Sequence, residues 1–198
     1  MGTHSAMSAL LLPASEYRRV PWKNGGGYTT ELIVRPAGDA PTSGNCPFDW
    51  RLSIATVDSE GGFSAFPGVD RSLMALSPEG LGLVDSGYPV NLRQHEVHRF
   101  AGENEVAAVG VTAPTLDLNL MTRRAACSGE LQYRELGSGQ VIEAESGVVV
   151  VVLLSGELSF CGTRLAPQDA VLIDNGSAEF SGHAAVAIAS IVTPFTRG

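Results

Sequence analysis

Two long segments of the chain alternate between large apolar residues and polar or small ones, and this period of two constrains the fold most. The alternation runs over residues 48–57 (FDWRLSIATV) and, more strictly, over 115–123 (TLDLNLMTR). Successive side chains of a β-strand point to opposite faces, so the pattern predicts strands. Glycine-containing turns such as Pro67-Gly68, Ser86-Gly87 and Asn175-Gly176 separate many further short apolar runs. No amphipathic helix longer than about three turns is evident, and we predict an all-β protein.

Two comparable series of strands predict two small β-barrels. The C-terminal series starts near Val141 and includes the apolar run Val148–Leu154, and the N-terminal half offers a similar series. Short strands at close spacing with glycines between them are typical of sandwiches and barrels. We place one barrel in residues 8–125 and the other in 126–198, and leave an exchange of strands between them open. Residues 1–6 are interpreted as an expression remnant.

The charge balance limits the kinds of partner that the protein is expected to bind, and the cysteines indicate the compartment in which it is expected to work. The chain has 21 acidic and 13 basic residues, a formal net charge of −8, which is not typical of a protein that binds nucleic-acid phosphates. No apolar run approaches the roughly 20 residues of a membrane-spanning helix. The three cysteines lie far apart, which favours reduced thiols over a disulfide framework. We expect a cytoplasmic protein that binds neither nucleic acid nor membrane, and a homodimer is compatible with the sequence.

A glycine-rich segment, residues 20–31 (VPWKNGGGYTTE), contains the single lysine of the chain, Lys23. Glycine accepts a positive φ and lets the backbone approach a ligand closely. One interpretation is a flexible turn into the following strand. The other is a binding turn in which Lys23, Asn24 and Gly25 contact a ligand. The spacing is not that of a phosphate-binding loop.

The predicted strand 115–123 carries an unusual polar face. Asp117, Asn119, Met121 and Arg123 lie on this face, and leucines lie on the opposite one. The leucine face is expected to pack against the rest of the protein. The polar face is either solvated or lines a pocket, and because Asp and Asn are poor strand formers, their presence favours the pocket.

Four cations fall in these segments or close to them. Besides Lys23 and Arg123, Arg51 shares a polar strand face with Ser53, and Arg71 follows an aromatic loop. Arg71 either pairs with the preceding aspartate or points its guanidinium at a ligand. The planar guanidinium makes two parallel hydrogen bonds to a carboxylate, so we expect a pocket for a small anion.

The histidines do not indicate a metal site. His95 and His98 have HxxH spacing, which on a strand places the two rings on opposite faces. No Ser/His/Asp set or GxSxG segment is evident either. We therefore predict no metal, no cofactor and no catalytic residue. In the alternative that the protein is an enzyme, Glu31 or Asp117 would serve as the general base.

Four segments, in order along the chain, carry a resemblance to a known family: 21–31 (PWKNGGGYTTE), 50–53 (WRLS), 62–71 (GFSAFPGVDR) and 117–124 (DLNLMTRR). They resemble the HutD/Ves family over about residues 10–192, with only β patterning in agreement in the C-terminal third. The resemblance implies a bicupin, that is, two jelly-roll barrels of the cupin type in one chain. Cupins that carry out metal chemistry have an HxH…E…H set, which this chain lacks.

The resemblance also implies a role in histidine utilisation, whose intermediates urocanate, formiminoglutamate and N-formylglutamate are small carboxylates. The family is regarded as non-enzymatic, and its Ves branch is linked to stress responses. We therefore expect a modulator that binds an anionic metabolite. The alternatives are a metal-free isomerase or hydrolase and a stress-linked interaction protein. The candidate ligand-binding residues are Lys23, Asn24, Gly25, Thr29, Glu31, Arg51, Ser53, Arg71, Asp117, Asn119, Met121 and Arg123.

Overall fold

The computed structural model describes residues 9–22, 25–37 and 46–193. These residues form seventeen strands and one 3₁₀ turn (Ala14–Glu16), and no α-helix occurs among them. The all-β prediction is therefore confirmed, with both alternating segments forming strands where the period of two placed them. Within the same residues no helix is long and apolar enough to cross a membrane.

The described residues divide into two compact units, one within residues 17–131 and one of residues 9–16 with 132–193. The first unit contains two sheets. The larger has the strand order β2-β3-β4-β11-β6-β9 and the smaller β5-β10-β7-β8. The bounds are β2 Arg18–Pro21, β3 Gly27–Pro36, β4 Phe48–Val57, β5 Gly61–Gly62, β6 Val69–Ala75, β7 Leu81–Asp85, β8 Tyr88–Leu92, β9 Val97–Ala101, β10 Val106–Val109 and β11 Thr115–Arg123.

An apolar core lies between the two sheets of this unit. Leu73 of β6 and Val57 of β4 belong to the same buried cluster as Leu83 of β7 and Val106 of β10. The six-stranded sheet therefore has an inner face that turns toward the four-stranded sheet. Strand β11 is central in the six-stranded sheet, and all its residues except Leu116 are buried, so its polar side chains lie inside the protein rather than on a solvated face.

The remaining sheet has the order β1-β16-β14-β17-β12, in which β13 pairs with β17 and β15 with β14, and all its strands except the first residues of β12 belong to the second unit. Its bounds are β1 Ala9–Leu12, β12 Ser128–Leu136, β13 Gln140–Glu143, β14 Val148–Phe160, β15 Thr163–Arg164, β16 Ala170–Asp174 and β17 Ser177–Val192. The apolar run of β14, which includes Val151, is buried in one cluster with residues of β16 and β17. Phe180 and Val186 of β17 belong to this cluster.

The first strand of the chain belongs to the C-terminal sheet. Leu10 of β1 pairs with Leu172 of β16, and the backbone amide of Ala14 donates to Asp169 Oδ1 at 2.7 Å. Because β1 pairs with β16, it lies with the C-terminal strands, an exchange that the division into 8–125 and 126–198 had left open. The strand orders of the three sheets are open paths among the described residues, whereas the sequence analysis expected closed barrels.

Candidate functional site

Two arginines flank a methionine in one row on the inner face of the six-stranded sheet. Met121 of β11 pairs with Arg51 of β4 on one side and with Arg71 of β6 on the other. Paired residues of antiparallel strands point to the same face, and neighbouring strands lie about 4.8 Å apart, so the two arginine Cα atoms are roughly 10 Å apart. The side chain of Arg71 is almost fully buried, since the residue is only 8% exposed.

Along β11, the same face continues with Asn119 and then Asp117. Their partners on β4 are Ser53 and Ala55, whose small side chains leave space above the sheet. A cavity of about 490 Å³ occupies this space and is lined by Arg51, Arg71, Asn119 and Asp117, among others. We call it the arginine cavity.

Three polar side chains of the arginine cavity form a hydrogen-bonded chain. Arg71 Nε and Nη2 both donate to Asn119 Oδ1, at 3.4 and 3.2 Å. The amide Nδ2 of Asn119 donates to Asp117 Oδ1 at 2.7 Å. Arg71 Nη1 also donates to the backbone carbonyl of Ser64 at 3.5 Å. The asparagine thus separates the buried guanidinium from the buried carboxyl and is bonded to both.

Burial shifts the pKa of both charged members of this chain toward the neutral form. Burial raises the pKa of Asp117 to about 6, against the opposing effects of the Asn119 hydrogen bond and the charge of Arg71. Burial lowers the pKa of Arg71 to about 10, and the nearby Arg51 adds to this shift while Asp117 opposes it. Neither charge is fully compensated by the protein alone.

Arg51 has even fewer polar partners. Its Nη2 donates to the thioether of Met121 at 3.0 Å, a weak acceptor, and its guanidinium carbon lies 5.1 Å from the ring centre of Phe48 and 5.7 Å from that of Phe66. Burial lowers the pKa of Arg51, while the charge of Glu31 raises it. Two buried side-chain atoms lack a hydrogen-bond partner among the described residues, and they are Arg51 Nε and Asp117 Oδ2.

Aromatic residues border the arginine cavity. Trp22 donates from Nε1 to Thr29 Oγ1 at 2.9 Å and packs edge-to-face against Phe63 with ring centres 6.2 Å apart. Gly27 makes this arrangement possible, because a Cβ atom there would lie 2.0 Å from the carbonyl oxygen of Thr56 and 3.3 Å from the Trp22 ring. The glycine-rich segment therefore has a steric role in holding β3 against β4.

The structure gathers half of the predicted site residues at the arginine cavity, namely Thr29, Arg51, Ser53, Arg71, Asp117 and Asn119. Gly25 is in the turn before β3 and does not line the cavity, and Glu31 is half-buried near Arg51 without lining it. Lys23 and Asn24 lie outside the described residues.

Met121 and Arg123 share the polar strand face but serve other contacts. Met121 packs in an apolar cluster with Phe48 and Val69. Arg123 forms a buried ion pair with Asp49, so it is not free to hold an anion. Of the two interpretations of Arg71, the pairing with Asp70 is not found, because Asp70 pairs with Arg124 at 2.7 Å, and Arg71 lines the arginine cavity.

The aromatic residues that line the cavity were not among the residues predicted for the site. Trp22, Phe63 and Phe66 line the cavity, and the ring centres of Phe63 and Phe66 lie 5.5 and 5.8 Å from the Arg71 guanidinium carbon. The signal that could have identified them is the aromatic spacing in residues 62–71, directly before an arginine that opens a strand.

The histidines take structural positions outside the arginine cavity. His98 Nε2 lies 2.8 Å from Asp85 Oδ2, and its ring stacks on Phe100 with centres 5.4 Å apart. His95 stands in the turn before β9 with a φ of 68°. Within the described ranges, no three or more His, Cys, Asp or Glu residues are grouped so that they could hold a metal ion.

The sheets and the cavity place the protein in a fold class that solved structures share. Solved structures with the same fold include YhhW from Escherichia coli, with a TM-score of 0.67 at 9% identity over 96% of this chain and 100% of that one. Such a likeness shows a cupin-like all-β fold. The site within this fold is a cavity lined by two arginines and one carboxyl.

The sequence comparisons then give the family. The HutD family matches residues 14–189, and the chain belongs to it. A 21.2 kDa protein in the hutC 3′ region of Pseudomonas putida is 34% identical over 78% of this chain and 80% of its own length. Protein Ves of Cronobacter sakazakii is 33% identical over 79% and 82%. HutD from Pseudomonas fluorescens, solved in a formate condition, has a TM-score of 0.80 at 28% identity and covers 94% of this chain and 100% of its own.

Proposed function

We propose that the arginine cavity binds a small carboxylate without turning it over, and that the protein modulates histidine utilisation by sensing an intermediate such as urocanate or N-formylglutamate. The observation that carries the proposal is the buried Nε of Arg51, which has no hydrogen-bond partner among the described residues and belongs to a side chain lining a cavity of about 490 Å³.

The charges of the cavity lining favour an anion. The buried guanidinium of Arg71 and the half-buried one of Arg51 line the cavity with one carboxyl, and Asn119 lies between that carboxyl and Arg71. An unpaired buried charge is costly, and a bound carboxylate would supply the missing acceptors. The guanidinium of Arg51 offers its Nε edge for a two-point contact.

The size of the cavity and the charge of the protein favour a small ligand over a polyanion. A cavity of about 490 Å³ falls in the range of metabolite sites. The net charge of −8 would repel nucleic acid at longer range. The aromatic rings of Trp22 and Phe63 at its border suit a ligand with a planar or apolar part.

The comparisons support the pathway rather than the ligand. The relative in Pseudomonas putida is named for the hutC region, and the similar HutD structure comes from a formate condition, formate being the smallest carboxylate. We also propose that the two units correspond to two cupin-type modules, which would make the chain a bicupin.

Thermal unfolding with added ligand tests the proposal. With urocanate or N-formylglutamate at about 100 times its Kd, the stability should rise by about 2.7 kcal/mol and the melting temperature by roughly 5–11 °C. Arg51→Gln should abolish the shift because it removes the charge and the fork. Arg93→Gln is the matched control, since that side chain is 89% exposed, and it should keep the shift. No shift in the unaltered protein at millimolar concentrations of any pathway acid would refute the proposal.

An enzymatic alternative has one observation in its favour. The pKa of Asp117 is raised to about 6 by burial, which suits a general base near neutral pH. The absorbance of urocanate distinguishes the two functions. Loss of that absorbance with catalytic amounts of protein would show turnover, whereas binding with one equivalent and no product after hours would support the binding function.

A further inference from the structure

One carboxyl oxygen in the arginine cavity is left without a hydrogen bond. Asp117 is 1% exposed, and its Oδ1 accepts from the Asn119 amide at 2.7 Å. Its Oδ2 is buried and has no partner among the described residues. A buried carboxylate oxygen is a strong acceptor, and leaving it unpaired is unfavourable.

We propose that Asp117 is a specificity-determining residue that accepts a hydrogen bond from an N–H group of the ligand. The inference rests on the proposed function and deepens it. The ligand class is then a small acid that carries both a carboxylate and an N–H donor, as an amine, an amidine or an azole does. Acids of equal size without a donor would bind less tightly.

The rows that carry Arg51 and Asp117 lie far enough apart for the two side chains to contact opposite ends of one ligand. Arg51 pairs with Met121 and Ala55 pairs with Asp117, so the two rows lie four residues apart along the sheet, roughly 13 Å between Cα atoms. The arginine side chain extends from one row and the short aspartate from the other. This spacing leaves room for an elongated ligand with its carboxylate at Arg51 and its donor at Asp117.

Among the described residues that line the cavity, Asp117 supplies the one carboxyl, and its free oxygen is a stronger acceptor than the neutral hydroxyls of Ser53 and Ser64. The side-chain oxygen of Asn119 already accepts from Arg71, and that of Thr29 accepts from Trp22. The guanidinium groups of Arg51 and Arg71 only donate. A donor on the ligand therefore finds its best acceptor at Asp117 Oδ2.

The test uses two acids that differ in one atom group. The probes are trans-3-(1H-pyrrol-2-yl)acrylate, whose ring has an N–H donor, and trans-3-(furan-2-yl)acrylate, whose ring has an oxygen in that place. Titration calorimetry should show that the unaltered protein binds the pyrrole acid 10- to 100-fold more tightly, the ratio expected for one hydrogen bond to a charged group. Asp117→Asn keeps an oxygen for the Asn119 amide and turns its own NH₂ to the cavity. It should therefore abolish or reverse the preference, whatever its effect on the affinity for carboxylates in general.

The outcomes separate this inference from the proposed function. If both acids bind the unaltered protein equally, or if Asp117→Asn keeps the preference, Asp117 does not read a donor although the cavity still binds carboxylates. If no carboxylate binds, the proposed function itself is wrong. Asp58→Asn, an exposed aspartate outside the cavity, should keep the preference.

A second measurement on the unaltered protein covers the case in which Asp117→Asn does not fold. The pyrrole N–H of the ¹⁵N-labelled acid should move downfield and exchange with water at least tenfold more slowly when bound. An N–H that exchanges as fast as in the free acid would overturn the inference.

Discussion

The buried carboxyl of Asp117 makes the stability of residues 17–131 depend on pH in a direction opposite to that of a paired surface carboxylate. Burial raises its pKa from the ordinary value of 3.8 to about 6 in the folded protein. Between these values the folded state holds a proton that the unfolded state has released. The free energy of unfolding therefore falls as the pH rises through this window and stays level above it.

The expected magnitude follows from the size of the shift. The rise in pKa from 3.8 to about 6 corresponds to about 3 kcal/mol in full at 1.36 kcal/mol per pKa unit, and about 2.4 kcal/mol of this is lost between pH 4 and pH 7, since the unfolded carboxyl is already partly ionised at pH 4. Asp117→Asn is neutral at every pH and lacks this contribution. The other titrating groups are present in both proteins, so they largely cancel in the difference between the protein and its variant.

Urea denaturation monitored by tryptophan fluorescence measures the free energy of unfolding of the unit that contains Asp117. Both tryptophans, Trp22 and Trp50, lie in the unit of residues 17–131, which also contains Asp117. The stability of the unaltered protein relative to Asp117→Asn should drop by about 2.4 kcal/mol from pH 4 to pH 7. Asp58→Asn, an exposed aspartate, serves as the control and should show no such drop. A relative stability that is constant, or that rises with pH, would refute the reasoning, since it would mean that Arg71 and Asn119 stabilise the carboxylate at least as much as burial destabilises it.

Two further predictions concern the framework of the site. Gly27→Ala should lower the free energy of unfolding by about 2 kcal/mol or more, because the new Cβ would lie 2.0 Å from the Thr56 carbonyl oxygen. Urea denaturation measures the loss. The control Gly137→Ala should show almost no change, since a Cβ there has no atom within 4 Å. Arg123→Ala should cost roughly 2–3 kcal/mol by leaving Asp49 unpaired yet retain the urocanate-dependent thermal shift. Loss of that shift in a folded Arg123→Ala protein would contradict the placement of Arg123 outside the cavity.

The strands were predictable because their signal is local. A period of two in 48–57 and 115–123 reflects a backbone that turns successive side chains to opposite faces, and both segments became central strands of one sheet. The common face of Asp117 and Asn119 follows from the same rule. The cavity itself was predictable in outline, since an acid, an amide and arginines on strand faces indicated a polar pocket.

The pairing of each arginine was not predictable, because it depends on partners far away in the chain. Arg123 was expected to help hold an anion, but it meets Asp49, 74 residues away. Arg71 was left between two interpretations, and the adjacent Asp70 pairs with Arg124 instead. Neighbouring residues on a strand point to opposite faces, so Arg71 was free to enter the cavity, but only the register of β6 with β11 places it beside Asn119.

By itself, then, the sequence determined the all-β class, the alternating faces and the motifs of the HutD family. The tertiary structure decided which face of the six-stranded sheet lines the cavity, which two arginines meet across Met121, and which carboxyl oxygen is left without a partner. The physical reason is that alternation is a property of a few consecutive residues, whereas a site of opposed unpaired charges exists only once strands distant in sequence are held in register and shielded from water.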